Sequence, residues 1–166
     1  MQEDWRSIIE FPGYWVSNMG VVQNNNGKTC RTMVQHVNQR GIANVSFNRH
    51  GVQYKRSVAV LVASAFVTTA RSESFDTPIN LDGDRLNNTA WNLLWRPRWY
   101  AVEYFKQFHT DQQWIDKRVQ EFKTEEVFKS SWDAAMVFGL LNMEVVKSIT
   151  TKTYAWPTFQ RFRVYD

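Results

Sequence analysis

The sequence contains a single cysteine, Cys30, among its 166 residues. One cysteine cannot form an internal disulfide framework and cannot build a thiolate zinc site. No run of about 18 apolar residues occurs, which excludes a membrane-spanning helix. The segment Gln2–Trp5 is not basic and no apolar stretch follows it, so we expect no secretory signal. These absences predict a soluble protein of a reducing cytoplasm, with no membrane partner.

The composition favours a folded protein with a basic first half. Hydrophobic residues make up 43% of the chain and charged residues 22%, which is enough for a packed core and argues against disorder. The formal net charge is +4, and residues 1–75 carry this excess, with eight Lys or Arg against four Asp or Glu. A mild basic bias is compatible with nucleic-acid binding without demonstrating it.

The first half shows strand and turn patterns. Residues 14–22 predict two strands around a turn at Asn18–Gly20. Residues 43–58 alternate apolar and polar side chains on both sides of 48–51, which predicts a β-hairpin with a basic tip. The apolar segment 59–66 predicts a short buried helix.

The second half predicts helices and one late strand. Mixed apolar spacing over 98–122 favours one or two connecting helices. Ser131 is predicted to cap a helix ending at Gly139, and Asn142 to cap a second helix over 143–149. Two short helices joined by a glycine-containing turn are typical of a helix-turn-helix. Residues 162–165 are predicted to pair with 127–129.

Three groups of motifs resemble one protein family. Val16-Ser17-Asn18 with Gly20 resembles the module that opens phage intron-encoded HNH homing endonucleases. The segment 81–95, with Asp82-Gly83 and Asn92-Leu93-Leu94-Trp95, is similar to their ββα-metal nuclease core. Residues 127–165 resemble the nuclease-associated helix-turn-helix module.

The resemblance implies an α+β fold with four parts and an origin in a phage or mobile element. The parts are a small N-terminal β module (1–48), a degenerate HNH-like core (49–98), a helical linker (99–126) and a helix-turn-helix module (127–166).

The departures from the family pattern fall on its catalytic positions. The first family histidine corresponds to Ala59, and the later acid–histidine pair corresponds to Ile79-Asn80. The family's second histidine is the general base, and an asparagine cannot take the proton. Ile79 offers no ligand atom to a divalent metal. Asn88 and Asn92 remain as residual metal candidates, but a neutral amide is a poor site without a carboxylate.

His50, Asp82 and Asp84 are the residues that could replace the missing general base. Asp82 belongs to the Asp-Gly turn and is expected to accept backbone hydrogen bonds, and His50 at a turn is expected to face solvent or a phosphate. The favoured interpretation of Asn87, Asn88 and Asn92 is structural rather than catalytic, because asparagine side chains can tie a loop to the backbone. His36 and His109 are isolated in the sequence, and no catalytic role is predicted for them.

DNA contacts are expected from two places. Basic residues around the predicted hairpin should line one surface, and the second tail helix should enter the major groove with its first residues meeting base edges. These candidates are Lys28, Arg31, Arg49, His50, Lys55, Arg56, Asn142, Glu144, Lys147, Thr150, Thr151 and Lys152.

The favoured function is therefore a pseudonuclease that binds double-stranded DNA and acts by site occupancy or regulation in the host cytoplasm. It would need no cofactor. One alternative is an active HNH endonuclease with a rebuilt centre, which would nick DNA with Mg²⁺. Another is an inhibitor that binds a host or phage protein through a dead nuclease fold.

Overall fold

The computed structural model describes residues 2–69 and 71–166. The chain divides into two compact units, Met1–Ala101 and Val102–Asp166. Both units combine short antiparallel strands with helices, which confirms the predicted α+β class. The four-part division stays a prediction. None of the helices in the described residues is long and apolar enough to cross a membrane.

The first unit opens with an antiparallel sheet whose strand order follows the chain. Its strands are β1 (Trp5–Ser7), β2 (Tyr14–Ser17), β3 (Val22–Asn24) and β4 (Arg31–Thr32). The predicted turn between β2 and β3 is present. Gly20 has a φ of +86° there, and a Cβ on it would lie 3.1 Å from the carbonyl oxygen of Asn88. This turn therefore packs closely against the loop that carries the candidate site.

A second sheet contains the predicted hairpin. Its strands are β5 (His36–Val37), β6 (Ala43–Arg49) and β7 (Val52–Ser57). The register pairs Arg49 with Val52, so only two residues form the loop. His50 and Gly51 both have positive φ, 52° and 77°. This is the pattern of a type I′ turn, whose twist matches that of the flanking strands.

A helix and a two-stranded ribbon complete the first unit. They are α1 (Val58–Phe66), β8 (Thr77–Asn80), a 3₁₀ turn at Ala90–Asn92, and β9 (Leu93–Arg96). The helix contacts β8 and β9 as well as β2, β6 and β7. It is apolar around most of its circumference and largely buried, as such helices are. The predicted helix over 59–66 is thus confirmed.

The second unit places short helices beside a three-stranded sheet. Helix α2 (Arg98–Lys106) leads into it and continues as a 3₁₀ turn, Gln107–His109. The sheet has the order β11 (Val127–Phe128), β10 (Val119–Glu121), β12 (Phe162–Val164). The core of this unit includes Val119, Leu140, Val145 and Phe162.

Two predictions about this unit are wrong in detail. The segment 98–122 is helical only to 109, and Val119–Glu121 form a strand. The strand at Phe162–Val164 pairs with β10 rather than with 127–129, because β10 lies between them. The mixed apolar spacing over 98–122 concealed a strand of three residues.

The two tail helices are α3 (Ser131–Phe138) and α4 (Asn142–Thr151). Gly139 ends α3 with a φ of 59°, as predicted. The cap of α3 is Ser130 rather than Ser131, since the Ser130 side chain accepts the Asp133 amide. Asn142 is the first residue of α4 rather than its cap, because Leu141 occupies the cap position. Each cap therefore lies one residue before the predicted one.

Candidate functional site

Strands β8 and β9 position the residues that stand where the HNH pattern would put its catalytic pair. Asn80 pairs with Leu93 and Ile79 with Leu94, so both residues lie at the end of β8, immediately before the loop 81–92. The Ile79 side chain is fully buried, and Asn80 is 3% exposed. The two positions therefore belong to the interior of the first unit.

The side chain of Asn80 is engaged in hydrogen bonds within this loop. Its Nδ2 donates to the carbonyl oxygen of Asn87 at 2.8 Å and to Oδ1 of Asn88 at 3.1 Å. A buried amide left without partners would cost about 1–3 kcal/mol. These bonds therefore hold the loop against the end of β8.

Asp82 is the centre of a second set of bonds. Its Oδ1 accepts from Asn92 Nδ2 at 2.8 Å and from the backbone amide of Asp84 at 3.0 Å. Its Oδ2 accepts from Asn87 Nδ2 at 2.6 Å. The predicted backbone hydrogen bond to Asp82 is confirmed, and these contacts support the favoured structural interpretation of Asn87 and Asn92.

The donor set does not fit a magnesium ion. Mg²⁺ requires near-octahedral oxygen ligands, usually with one or two carboxylates. Asn88 Oδ1 already accepts from Asn80, and Asn92 Oδ1 accepts the Asp82 amide at 3.2 Å. Across residues 2–69 and 71–166, no group of three or more His, Cys, Asp or Glu could hold a metal ion. Ile79 contributes only hydrocarbon.

Among the described side chains that hold this loop there is no imidazole, and the carboxylates of Asp82 and Asp84 accept hydrogen bonds from within it. Ala59 lies on α1 and places its methyl group in the hydrophobic core of the first unit, at 8% exposure. A methyl group cannot accept or donate a proton. His50 is exposed at the hairpin tip. In the loop itself, partial burial lowers the pKa of Arg85, and the nearby charge of Arg40 lowers it further. Arginine still remains charged at physiological pH.

No protein-family model and no curated protein matches this chain. A solved structure described as DNA binding and cleavage by the HNH homing endonuclease I-HmuI matches 98% of this chain and 98% of that chain. The TM-score is 0.56 and the sequence identity 20%. The chain has the fold of an HNH homing endonuclease.

This likeness confirms the predicted HNH-like fold. At 20% identity it carries no residue roles from one chain to the other. The roles of Asn80, Asp82 and Asn92 rest on the geometry of this chain, in which hydrogen bonds between asparagine and aspartate side chains organise the loop.

The basic residues predicted to share a DNA-facing surface are divided between two sheets. Lys28 and Arg31 belong to the first sheet, in the loop before β4 and in β4 itself, whereas the other four lie on β6, the hairpin tip and β7. Lys55 and Arg56 are adjacent on β7, so their side chains point to opposite faces. The structure thus does not bring all six residues to one face.

Arg56 is partly neutralised by a residue that sequence reasoning missed. Its Nε donates to Glu10 Oε2 at 3.0 Å, and its Nη2 pairs with Glu10 Oε1. Its guanidinium also lies over the rings of Phe11 and Tyr54. Arg49 donates to the Glu10 carbonyl oxygen at 3.1 Å. No local signal could have found Glu10, because 46 positions separate it from Arg56.

This ion pair should be visible in the titration of Glu10. The hydrogen bond from Arg56, and then its charge, lower the pKa of the Glu10 carboxyl. The depressed pKa means that the pair stabilises the fold above the unfolded-state pKa of about 4.3 and loses this contribution as pH falls through the folded-state value. Arg56→Gln should raise the Glu10 pKa towards that ordinary value, as measured by carboxyl chemical shifts.

Arg49→Gln is the matched control, since Arg49 acts on the Glu10 carboxyl only by its charge and more weakly. It should raise the pKa less. Because the Arg56 and Glu10 side chains are 33% and 49% exposed, solvent screens the pair, and the stability change in Arg56→Gln should stay below about 1 kcal/mol. An unchanged Glu10 titration in Arg56→Gln would contradict the pairing.

Helix α4 presents an exposed stripe that includes some of the predicted contacts. Lys147, Thr150 and Thr151 are exposed, and Met143 is 62% exposed. Their spacing of four, three and one residues puts them on one side of the helix. Lys152 follows at the helix end and is also exposed. Glu144 is half-buried, and its carboxylate accepts the Trp156 amide at 3.2 Å.

Asn142 does not lie on that stripe. It is fully buried, and its Nδ2 donates to the Gln113 carbonyl oxygen at 2.8 Å. Its Oδ1 accepts from the Ser131 hydroxyl at 2.8 Å. The structure therefore does not support a base contact by Asn142, because both ends of its amide are used inside the unit. Met143 was missed by the sequence analysis, although its spacing from Lys147 was a usable signal.

Proposed function

We propose that this protein binds double-stranded DNA on an HNH homing-endonuclease fold from which the catalytic residues have been lost. The observation that carries the proposal is the hydrogen bonding of Asn80, whose Nδ2 donates to the carbonyl oxygen of Asn87 and to Oδ1 of Asn88. General-base catalysis needs a group that titrates near the operating pH. An asparagine held by its own loop does not provide one.

The position of Ile79 supports the same proposal. A metal-binding carboxylate there would require an opening towards solvent, yet the side chain is fully buried. The loop that follows is organised by Asp82 around amides rather than around an ion. The site thus has the character of a structural element that stabilises the first unit.

DNA binding draws its support from the exposed cations and from the fold. The solved neighbour is described as an endonuclease that binds and cleaves DNA. Here α3 and α4 would act as a helix-turn-helix, with the stripe of Met143, Lys147, Thr150 and Thr151 facing the major groove. Lysine and threonine suit phosphate oxygens, and a methionine suits the thymine methyl group. The protein would act by occupying its site or by regulating it.

The test is a paired assay of binding and cleavage. We expect the purified protein to retain duplex DNA, with an affinity that falls steeply as salt rises, because phosphate contacts release counterions. We expect no nicking of plasmid DNA with Mg²⁺ or Mn²⁺. Duplexes selected from a random pool are the substrates of choice, since they report sequence preference as well as cleavage.

Two controls make the outcome decisive. Metal-dependent nicking that disappears in Asn80→Ala or Asn92→Ala would show a rebuilt catalytic centre and refute the loss of catalysis. Absence of any salt-dependent retention of duplex DNA would refute the binding role instead.

A further inference from the structure

One face of the sheet in the second unit carries a ladder of arginines. Gln120 of β10 pairs with Arg163 of β12, and Val119 pairs with Val164. The ladder extends one residue at each end, through bonds from Phe122 N to Arg161 O at 2.9 Å and from Tyr165 N to Arg118 O at 2.8 Å. Because side chains alternate along strands, six residues of β10, β12 and the positions flanking them share one face, beside Val127 of β11. We call these six the arginine face: Arg118, Gln120, Phe122, Arg161, Arg163 and Tyr165.

The arginine face points away from the core. The intervening residues Val119 and Phe162 are 0% and 2% exposed and belong to the hydrophobic core of this unit. Each arginine stands directly across from an uncharged residue of the neighbouring strand. The three cations are therefore spread along the ladder rather than neutralised across it.

The neighbouring side chains hold the three guanidinium groups in place. Arg118 lies 5.0 Å from the ring centroid of Tyr165, and Arg161 and Arg163 each lie 4.9 Å from that of Phe122. Arg163 also donates from Nε and Nη2 to Gln120 Oε1, at 2.9 and 2.6 Å. Cation–π contacts and a fixed acceptor restrict these side chains before any ligand arrives, which reduces the entropy cost of binding.

The charges of these arginines are not compensated within the unit. In the part of the chain that the structure describes, the ion pairs found involve other residues. The Nε atom of Arg161 is buried and has no hydrogen-bond partner among the described residues. A row of pre-positioned guanidinium groups that form no ion pair with any described carboxylate is complementary to a row of anions.

We propose that the arginine face binds the phosphate backbone of double-stranded DNA. The inference rests on the proposed DNA-binding function and adds a contact surface that lies outside the hairpin and α4. Guanidinium forks match phosphate oxygens in geometry as well as in charge. Arginines two residues apart on one strand are separated by about 6.8 Å, which gives the regular array that a repeating polyanion can engage. Phosphate contacts fix position on the duplex without reading its sequence.

The test removes the three charges from the full-length protein. Arg118, Arg161 and Arg163 are all changed to Gln, and the affinity for duplex DNA is measured over a series of salt concentrations. Loss of three phosphate contacts should make the slope of log affinity against log salt less steep by about 2.7. Affinity at low salt should fall on the order of a thousandfold, about tenfold for each arginine, and about equally for all sequences.

A matched control removes the same charge elsewhere. Arg71, Arg98 and Lys106 are all changed to Gln; they are exposed and lie outside the arginine face. This control should change the slope by less than about one. An equal change in the two triple variants would show that net charge alone acts and would overturn the inference.

A second variant separates binding from folding. Changing the three arginines to Lys keeps their charge, so most of the salt slope should survive, with a loss of affinity of about tenfold or less. A Lys variant that loses as much slope as the Gln variant would assign the effect to packing and overturn the inference. If the parent protein retains DNA and the Gln variant retains it equally well, this inference fails while the proposed function stands. If the parent retains no DNA, the proposed function fails as well.

Discussion

Ile79→Asp is expected to lower the free energy of unfolding by about 4 kcal/mol or more at neutral pH. The substitution removes a fully buried aliphatic side chain, which costs about 2–5 kcal/mol by itself. It also puts a carboxyl group where α1 packs against β8, and burial of an unpaired charge is costly. Since domains are stable by only about 5–15 kcal/mol, this change threatens the folded state.

The loss should depend on pH in a defined direction. Burial would raise the pKa of the new carboxyl in the folded protein above its unfolded value of about 3.9. Below that unfolded value the group is neutral in both states, so the penalty is smallest. Between the unfolded and the raised folded value, stability should fall by about 1.4 kcal/mol for each pH unit. Urea unfolding of parent and variant at pH 4 and pH 7 measures this difference.

Ile79→Val is the control for the hydrocarbon alone. It should cost about 1 kcal/mol at both pH values, because it adds no titrating group. A small and pH-independent effect of Ile79→Asp would show instead that position 79 is open to water. We also expect that the double variant Ile79→Asp, Asn80→His does not cleave DNA, because the carboxylate introduced at position 79 would unfold the region around it.

Asn142→Ala is expected to destabilise the protein by about 3 kcal/mol. Its buried side chain joins two elements, through Nδ2 to Gln113 and Oδ1 to Ser131. Removing it leaves the Gln113 carbonyl without this donor, deprives the buried Ser131 hydroxyl of its acceptor, and opens a cavity at the start of α4. Thermal or urea unfolding of the variant measures the effect.

Met143→Ala is the adjacent control. Met143 is 62% exposed, so its truncation should change stability by about 0.5 kcal/mol or less. An Asn142→Ala variant as stable as the parent that loses discrimination at one base pair would contradict the buried position and support a reading role.

Features encoded over a few neighbouring residues were predicted correctly from sequence. Alternation over 43–58 predicted the hairpin, because side chains point to opposite faces of a strand in turn. The apolar run predicted α1, and Gly139 predicted the end of α3, since glycine adopts a left-handed conformation without a Cβ clash. The motifs around Asp82 and Asn92 were enough to suggest the HNH-like fold.

The details of the candidate site needed the folded chain. The sequence placed Asn80 where the HNH pattern has its second histidine, but only the structure shows that Asn80 Nδ2 donates to Asn87 and Asn88. The sequence placed Asn142 at the start of a helix. It could not show whether this side chain is exposed and contacts a DNA base or is buried and bonded within the protein. Its burial depends on Gln113 and Ser131, which belong to other segments.

Local sequence patterns were sufficient to predict the hairpin, the apolar helix, the helix-ending glycine and the Asp-Gly turn. The strand at Val119–Glu121, its pairing with Phe162–Val164 and the ion pair of Glu10 with Arg56 are visible only in the folded chain. The two groups of features differ in the sequence distance over which their interactions act. Turn geometry, capping and side-chain alternation act between near neighbours, whereas the strand at Val119–Glu121 takes its hydrogen bonds from two partner strands, one of them some 40 positions away.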